Sequence, residues 1–186
     1  MTCIWLIRHA QSSALPGVAI GAGDPSLNDD GRAQAQRLAA SMAARPLVRI
    51  VSSDRRRALE TARIVAEHHS LPVETTAALR EIDFGVWVGR FLGDLWSEEP
   101  LAAKAWEDDI RVTPPGFGES LADLERRVEV LWASMQPLPV RGEGAFVGHQ
   151  GSLAVLRAAI TGESVSDAFA RRLELAGAVA LSVDAA

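Results

Sequence analysis

The strongest constraint on this chain is that short apolar runs alternate with stretches of helical period. Runs at 2–7, 48–51 and 145–147 have the composition of strands buried on both faces, and Ala178–Val183 is a weaker candidate. Between them, Gly31, Ala35, Leu38 and Met42 follow the capping residue Asn28 at spacings of four, three and four, which puts small and apolar groups on one helix face. A second helix is expected to begin near Ser53 and Asp54 and to turn Ala58, Ala62 and Val65 inward. A third follows the Ser120–Asp123 capping pair with the stripe Leu121, Leu124, Val128, Leu131 and Met135, and a fourth covers 151–160 until Thr161 and Gly162 stop it. Strands and helices in this order predict one three-layer α/β/α domain over 1–186, with a mostly parallel sheet flanked by helices.

In such sheets ligands bind beyond the carboxyl ends of the strands. The first run ends on Arg8 and His9, Ser52 and Ser53 follow the second, and Gly148 and His149 follow the third, so three strand ends converge on one crevice. An isolated Arg-His pair would be no more than the polar end of a strand. Here "SSDRRRALETA" adds Arg55, Arg56 and Arg57 to the first turn of a helix, where cations oppose the macrodipole unless an anion compensates. Asp54 supplies part of that compensation, and Arg55 and Arg56 are expected on a solvated face. "FVGHQGSLAVLR" repeats the pattern of strand, glycine, histidine and helix start, with the amides after His149 expected to point into the crevice.

Two arginines and two histidines form a pocket for a dianion such as phosphate, although the chain as a whole carries a net charge of −5. That overall charge gives no reason to expect nucleic acid or an anionic membrane as partner. Expelling an alkoxide from a phosphate ester needs a proton donor, for which Glu81 in "ALREIDFGVW" is the candidate and Asp83 the nearby alternative. Between 84 and 118 the pattern gives way to an excursion holding Phe84, Trp87, Phe91, Trp96, Trp106 and Phe117, six of the ten aromatics. Such a concentration is expected to pack as a satellite core, to wall a pocket, or both.

Four motifs, "LIRHAQS", "SSDRRRALETA", "LREIDFG" and "VGHQG", in this order, resemble the histidine phosphatase superfamily, whose fold is called phosphoglycerate mutase-like. The resemblance covers nearly the whole chain. It implies a phosphomonoesterase in which His9 becomes phosphohistidine, with Arg8, Arg57 and His149 as the phosphate pocket and Glu81 as the acid that protonates the leaving group and then activates water. Gln150 and Ser12 join the substrate-binding set. "GDPSLNDDGRAQA" and "PPGFGES" resemble the small α-ribazole phosphatases. A small phosphorylated metabolite such as α-ribazole phosphate is therefore the expected substrate; a sugar phosphate, a protein phosphohistidine, or phosphoester binding without turnover are the alternatives. The chain departs from the family pattern at Ala10, usually glycine, at Leu15, often asparagine, and at Val88, usually acidic.

No metal or other cofactor is expected. His68 and His69 are adjacent on a helix, point about 100° apart and make a poor ligand pair. The single cysteine, Cys3, lies among Ile4, Trp5 and Leu6 and is expected to be a buried structural thiol. With neither a signal-like N-terminus nor an apolar run of membrane-spanning length, the expected location is the cytoplasm. Oligomeric state is not readable from these features.

Overall fold

A computed structural model describes residues 2–109, 111, 118–136 and 141–183. Five strands form one sheet: β1 (Thr2–Arg8), β2 (Leu47–Ser53), β3 (Val73–Thr76), β4 (Glu143–Gly148) and β5 (Ala178–Val183), in the order β3-β2-β4-β1-β5. β3, β2, β4 and β1 run parallel to one another, whereas β5 closes the edge beside β1 antiparallel, pairing Ile4 with Leu181. The strands β1, β2 and β4 therefore end together, as parallel register demands.

Helices cover both faces, as the alternation predicts. On one side α1 (Asp29–Met42) and α2 (Arg56–Glu67) pack Leu38, Ala39, Ala58, Ala62 and Val65 against Ile7, Ile50 and Val147. On the other, α5 (Leu121–Ser134) and α6 (Gln150–Thr161) pack Leu124, Val128, Leu131, Leu153 and Leu156 against Ile4, Leu6, Val51 and Phe146. Alternate residues of β1 serve opposite layers, the reason its run is almost continuously apolar. Trp132 packs edge-on against Phe146 with ring centroids 6.3 Å apart. Asn28 caps α1 by accepting from the Gly31 N–H at 2.8 Å, and the Ser120–Asp123 capping box opens α5.

Several expectations are corrected. The strand β3 has no counterpart in the sequence reading, because "VETT" is short, half-exposed and without an apolar run. The helix α2 begins at Arg56 with Arg55 as its cap, later than expected. Ser53 Oγ accepts from the Arg55 amide at 3.3 Å, and the Asp54 carboxylate is turned away to Arg80, so neither caps the helix. Cys3 is half-buried, not buried: it lies on the less covered side of β1, near Arg45 and Glu143, and its thiol pKa is raised, chiefly by burial.

The excursion contains the short helices α3 (Leu92–Glu98) and α4 (Pro100–Asp108). Trp87, Leu95 and Ala19 form a buried cluster with Phe84, Leu92 and Trp106 packed on it, a satellite core as expected. Phe117 lies outside the described residues. Among the described residues, no helix is long and apolar enough to cross a membrane. Beside α6 lies α7 (Val165–Ala170), and the segment after it leads back to β5 along the mouth of the crevice.

Candidate active site

A cleft of about 570 Å³ opens over the carboxyl ends of the central strands, and Arg8, His9, Ser12, Arg57, Glu81 and Gln150 all line it. His149 lies behind this surface, fully buried, with its ring centroid 5.0 Å from that of His9. The seven residues expected at the site are thus brought together, six on the wall and one beneath it.

His9 follows the last residue of β1, and its own amide donates to Gly148 O at 3.0 Å, which joins two strand ends. Nδ1 of its ring lies 2.7 Å from the carbonyl oxygen of Ala10. A carbonyl only accepts, so Nδ1 carries the hydrogen and Nε2 keeps its lone pair. Arg57 Nε points at that Nε2 from 3.3 Å. Burial, and then the charges of Arg57 and Arg8, drive the His9 pKa down to about 3 against a backbone contact that raises it, so the ring is neutral at pH 7.

The cations around His9 are held by backbone oxygens. Arg57 donates to Gly23 O at 2.7 Å and to Gly21 O at 3.3 Å, and burial lowers its pKa to about 10 without discharging it at neutral pH. Arg8 donates through Nη1 to Leu173 O at 2.8 Å, while its Nε has no partner. Thr61 ties the two sides together: its hydroxyl donates to Arg57 O at 2.7 Å and accepts from the Ala10 amide at 3.0 Å. Arg55 is half-buried with an unpartnered Nε, unlike the solvated position expected, whereas Arg56 is exposed and beside Glu60.

His149 Nε2 is 3.0 Å from Ser53 Oγ and Nδ1 has no partner. Burial first, and then His9 and Arg57, hold its pKa well below the usual range. Gln150 donates to Phe169 O at 3.4 Å and leaves its Oε1 unpartnered. Ser12 is buried, with its backbone bridged to Leu27.

Glu81 Oε1 accepts from the Gly151 and Ile82 amides, each at 3.0 Å. One of the amides after His149 expected to point into the crevice, that of Gly151, is therefore occupied by Glu81. A Cβ at position 151 would sit 2.4 Å from Glu81 Oε1, so only glycine leaves the carboxyl this seat. Burial raises the Glu81 pKa and outweighs the opposing amides and arginines, which favours a carboxyl that retains its proton. Asp83, the alternative, accepts instead from the Gly85 amide at 3.0 Å in its own turn and does not line the cleft.

Sequence reasoning missed the support under Glu81. Arg127 of α5 donates to Ala78 O at 2.6 Å, Arg80 O at 2.9 Å and Glu81 O at 3.3 Å, and pairs bidentately with Glu119 at 2.6 and 2.8 Å. Its position amid the apolar stripe of α5 carried no local signal of this role. Also missed was Arg172, which lines the cleft from the segment after α7.

Fold and cleft together define a doubly covered α/β protein with arginines and histidines gathered at the strand ends. The chain belongs to the histidine phosphatase superfamily, whose branch 1 profile matches residues 4–186. It is 35% identical over 170 residues to the glucosyl-3-phosphoglycerate phosphatase of Mycolicibacterium vanbaalenii, covering 87% of this chain and 75% of that one. To the adenosylcobalamin/alpha-ribazole phosphatase of Escherichia coli K12 it is 32% identical over 160 residues, covering 86% and 79%. The crystal structure of the alpha-ribazole phosphatase from Shigella flexneri superposes with a TM-score of 0.87 at 29% identity, over 98% of this chain and 91% of the other. Like these relatives, the chain is a phosphatase.

Proposed function

We propose that the chain is a metal-independent phosphomonoesterase that works through a phosphohistidine at His9. The observation that carries this reading is the pinned tautomer of His9: Nδ1–H is bound to Ala10 O at 2.7 Å, so Nε2 carries the lone pair, which accepts a long 3.3 Å contact from Arg57 Nε that an incoming phosphoryl group would replace. The substrate phosphoryl group takes the place opposite Nε2, where Arg8 and Arg57 neutralise and hydrogen-bond its oxygens, and the neutral His149 ring behind them, whose Nδ1 has no partner, supplies a further hydrogen-bonding group. The Nε2 lone pair attacks phosphorus, the P–O bond to the alcohol breaks, and Glu81 gives its proton to the departing oxygen. Glu81, now a carboxylate, takes a proton from water as the water oxygen attacks phosphohistidine, which releases phosphate and restores His9. Two guanidinium groups already meet the charge of the transferring phosphoryl, so no step calls for a metal.

The alcohol lies in the outer cleft, where Leu15, Val18, Phe84, Leu92 and Trp106 make the wall largely apolar. That wall supports a small phosphorylated metabolite with an apolar face, α-ribazole phosphate being one such compound; the names of the relatives add glucosyl-3-phosphoglycerate to the compounds to be compared. Rapid quenching with 32P-labelled phenyl phosphate tests the mechanism. An acid-labile, base-stable phosphoenzyme is expected in the parent and none in His9→Ala; undiminished label in that variant refutes it.

A further inference from the structure

Eleven arginines among the described residues form ion pairs with carboxylates, as an acidic protein makes easy. Those without one include Arg8 and Arg57, which hold the phosphate pocket, and Arg172, the remaining cation on the cleft wall. Arg171 beside it is engaged by Glu163, so the segment presents one paired and one free guanidinium. Arg172 immediately precedes Leu173, whose carbonyl holds Arg8 at 2.8 Å. It is thus anchored next to the phosphate pocket but belongs to its outer rim, between Phe169 and Leu175. The Arg8 pKa, lowered first by burial, is lowered further by the charge of Arg172, although Glu81 and Glu174 oppose this. The carboxylate on that wall, Glu81, is turned inward to two backbone amides.

From this arrangement we infer that the cleft holds a second anion subsite at Arg172, and that the preferred substrates are phosphomonoesters whose alcohol carries a carboxylate or a further phosphate. The inference rests on the proposed placement of the alcohol in the outer cleft. An uncharged alcohol offers the exposed guanidinium of Arg172 no charged acceptor. A carboxylate there gains a charge-assisted, bidentate pair. The same cation repels none of the substrate and adds to the potential that draws a multiply charged ester into the cleft.

The test compares kcat/KM for phenyl phosphate with that for 3-carboxyphenyl and 4-carboxyphenyl phosphate, in the parent enzyme and in Arg172→Gln. Arg172 is exposed and carries no bond to the fold, so the variant is expected to unfold at the parent's denaturant midpoint. In the parent, at least one carboxylated ester should be favoured about 10-fold, the scale of one charge-assisted hydrogen bond. In Arg172→Gln that preference, read as the ratio of the two kcat/KM values, should fall to near unity. A parent enzyme with no preference for either acid, or a preference that survives in Arg172→Gln, overturns the inference. Failure of the phosphohistidine reading would look different: the anionic preference would depend on Arg172 as expected, but no phosphoenzyme would be trapped.

Discussion

Replacing Gly151 by alanine should damage catalysis while leaving the fold intact. The added methyl would meet Glu81 Oε1 at 2.4 Å and Leu124 Cδ2 at 3.4 Å, so the second contact is ordinary and the first is not. Because the offending atom is the end of a flexible side chain, the carboxyl swings aside by about 1 Å and gives up its 3.0 Å bond from the Gly151 amide. That lost bond costs about 1–2 kcal/mol, and the better helix propensity of alanine returns up to about 1 kcal/mol, so stability should change by only about 1 kcal/mol. A displacement of about 1 Å in a reacting group costs on the order of 10²-fold in rate. Phosphorylation of the enzyme by an alkyl phosphate, followed in a single turnover, should slow by that factor. With p-nitrophenyl phosphate, whose anion departs without a proton, the loss should be below about 10-fold. Equal losses on both esters would show that Glu81 is not the acid, and unchanged rates on both would show that its seat on Gly151 does not matter.

Arg57→Ala should lower phosphorylation on the order of 10²–10³-fold, whereas Arg56→Ala, at an exposed position on the same helix, should change it by less than about twofold; equal losses would refute the assignment. Arg127→Lys keeps the charge but cannot span Glu119 and three carbonyls, so alkyl phosphate turnover should fall about 10-fold or more while p-nitrophenyl phosphate is largely spared, and a uniform fall would mark a merely structural role. The depressed His9 pKa also makes a stability prediction. The unfolded histidine binds a proton below about 6.5 and the folded one only below about 3, so stability is full above 6.5 and is lost as pH falls through this window. Urea denaturation at pH 5 should show about 2 kcal/mol of loss attributable to His9, absent in His9→Asn; the same pH slope in both proteins would contradict the burial of a neutral ring.

The legible part of this molecule is the part governed by local pattern. Buried parallel strands announce themselves as apolar runs, and the topology of such sheets then brings Arg8, His9 and His149 together without further information. The capping residues Asn28 and Ser120 are equally local. β3 was illegible because an edge strand needs little apolar surface. The direction of β5 was too, because apolarity is the same read either way. The contacts that seat Glu81 were hidden for another reason: Arg127 meets backbone oxygens 46 to 49 residues away, and the Gly151 amide meets a carboxyl 70 residues earlier. Such pairings involve carbonyls and missing side chains, which leave no trace in residue type. Arg172 looked like any surface arginine until its neighbours showed which cations were already satisfied.

The strand that carries His9 is made early but stabilised late. Its edge partner is β5, the Arg8 amide donates to Gly177 O at 3.0 Å, and the Ala176 amide donates to His9 O at 3.2 Å from a backbone with φ of 56°. During synthesis, then, His9 emerges from the ribosome more than 160 residues before the segment that clamps it. Until residues 173–183 have been added, Arg8 has no carbonyl to hold its guanidinium and β1 has an open edge. His9 and Arg8 are therefore made long before the segment that holds them, and the β1 edge beside them closes only when nearly all of the sheet is in place.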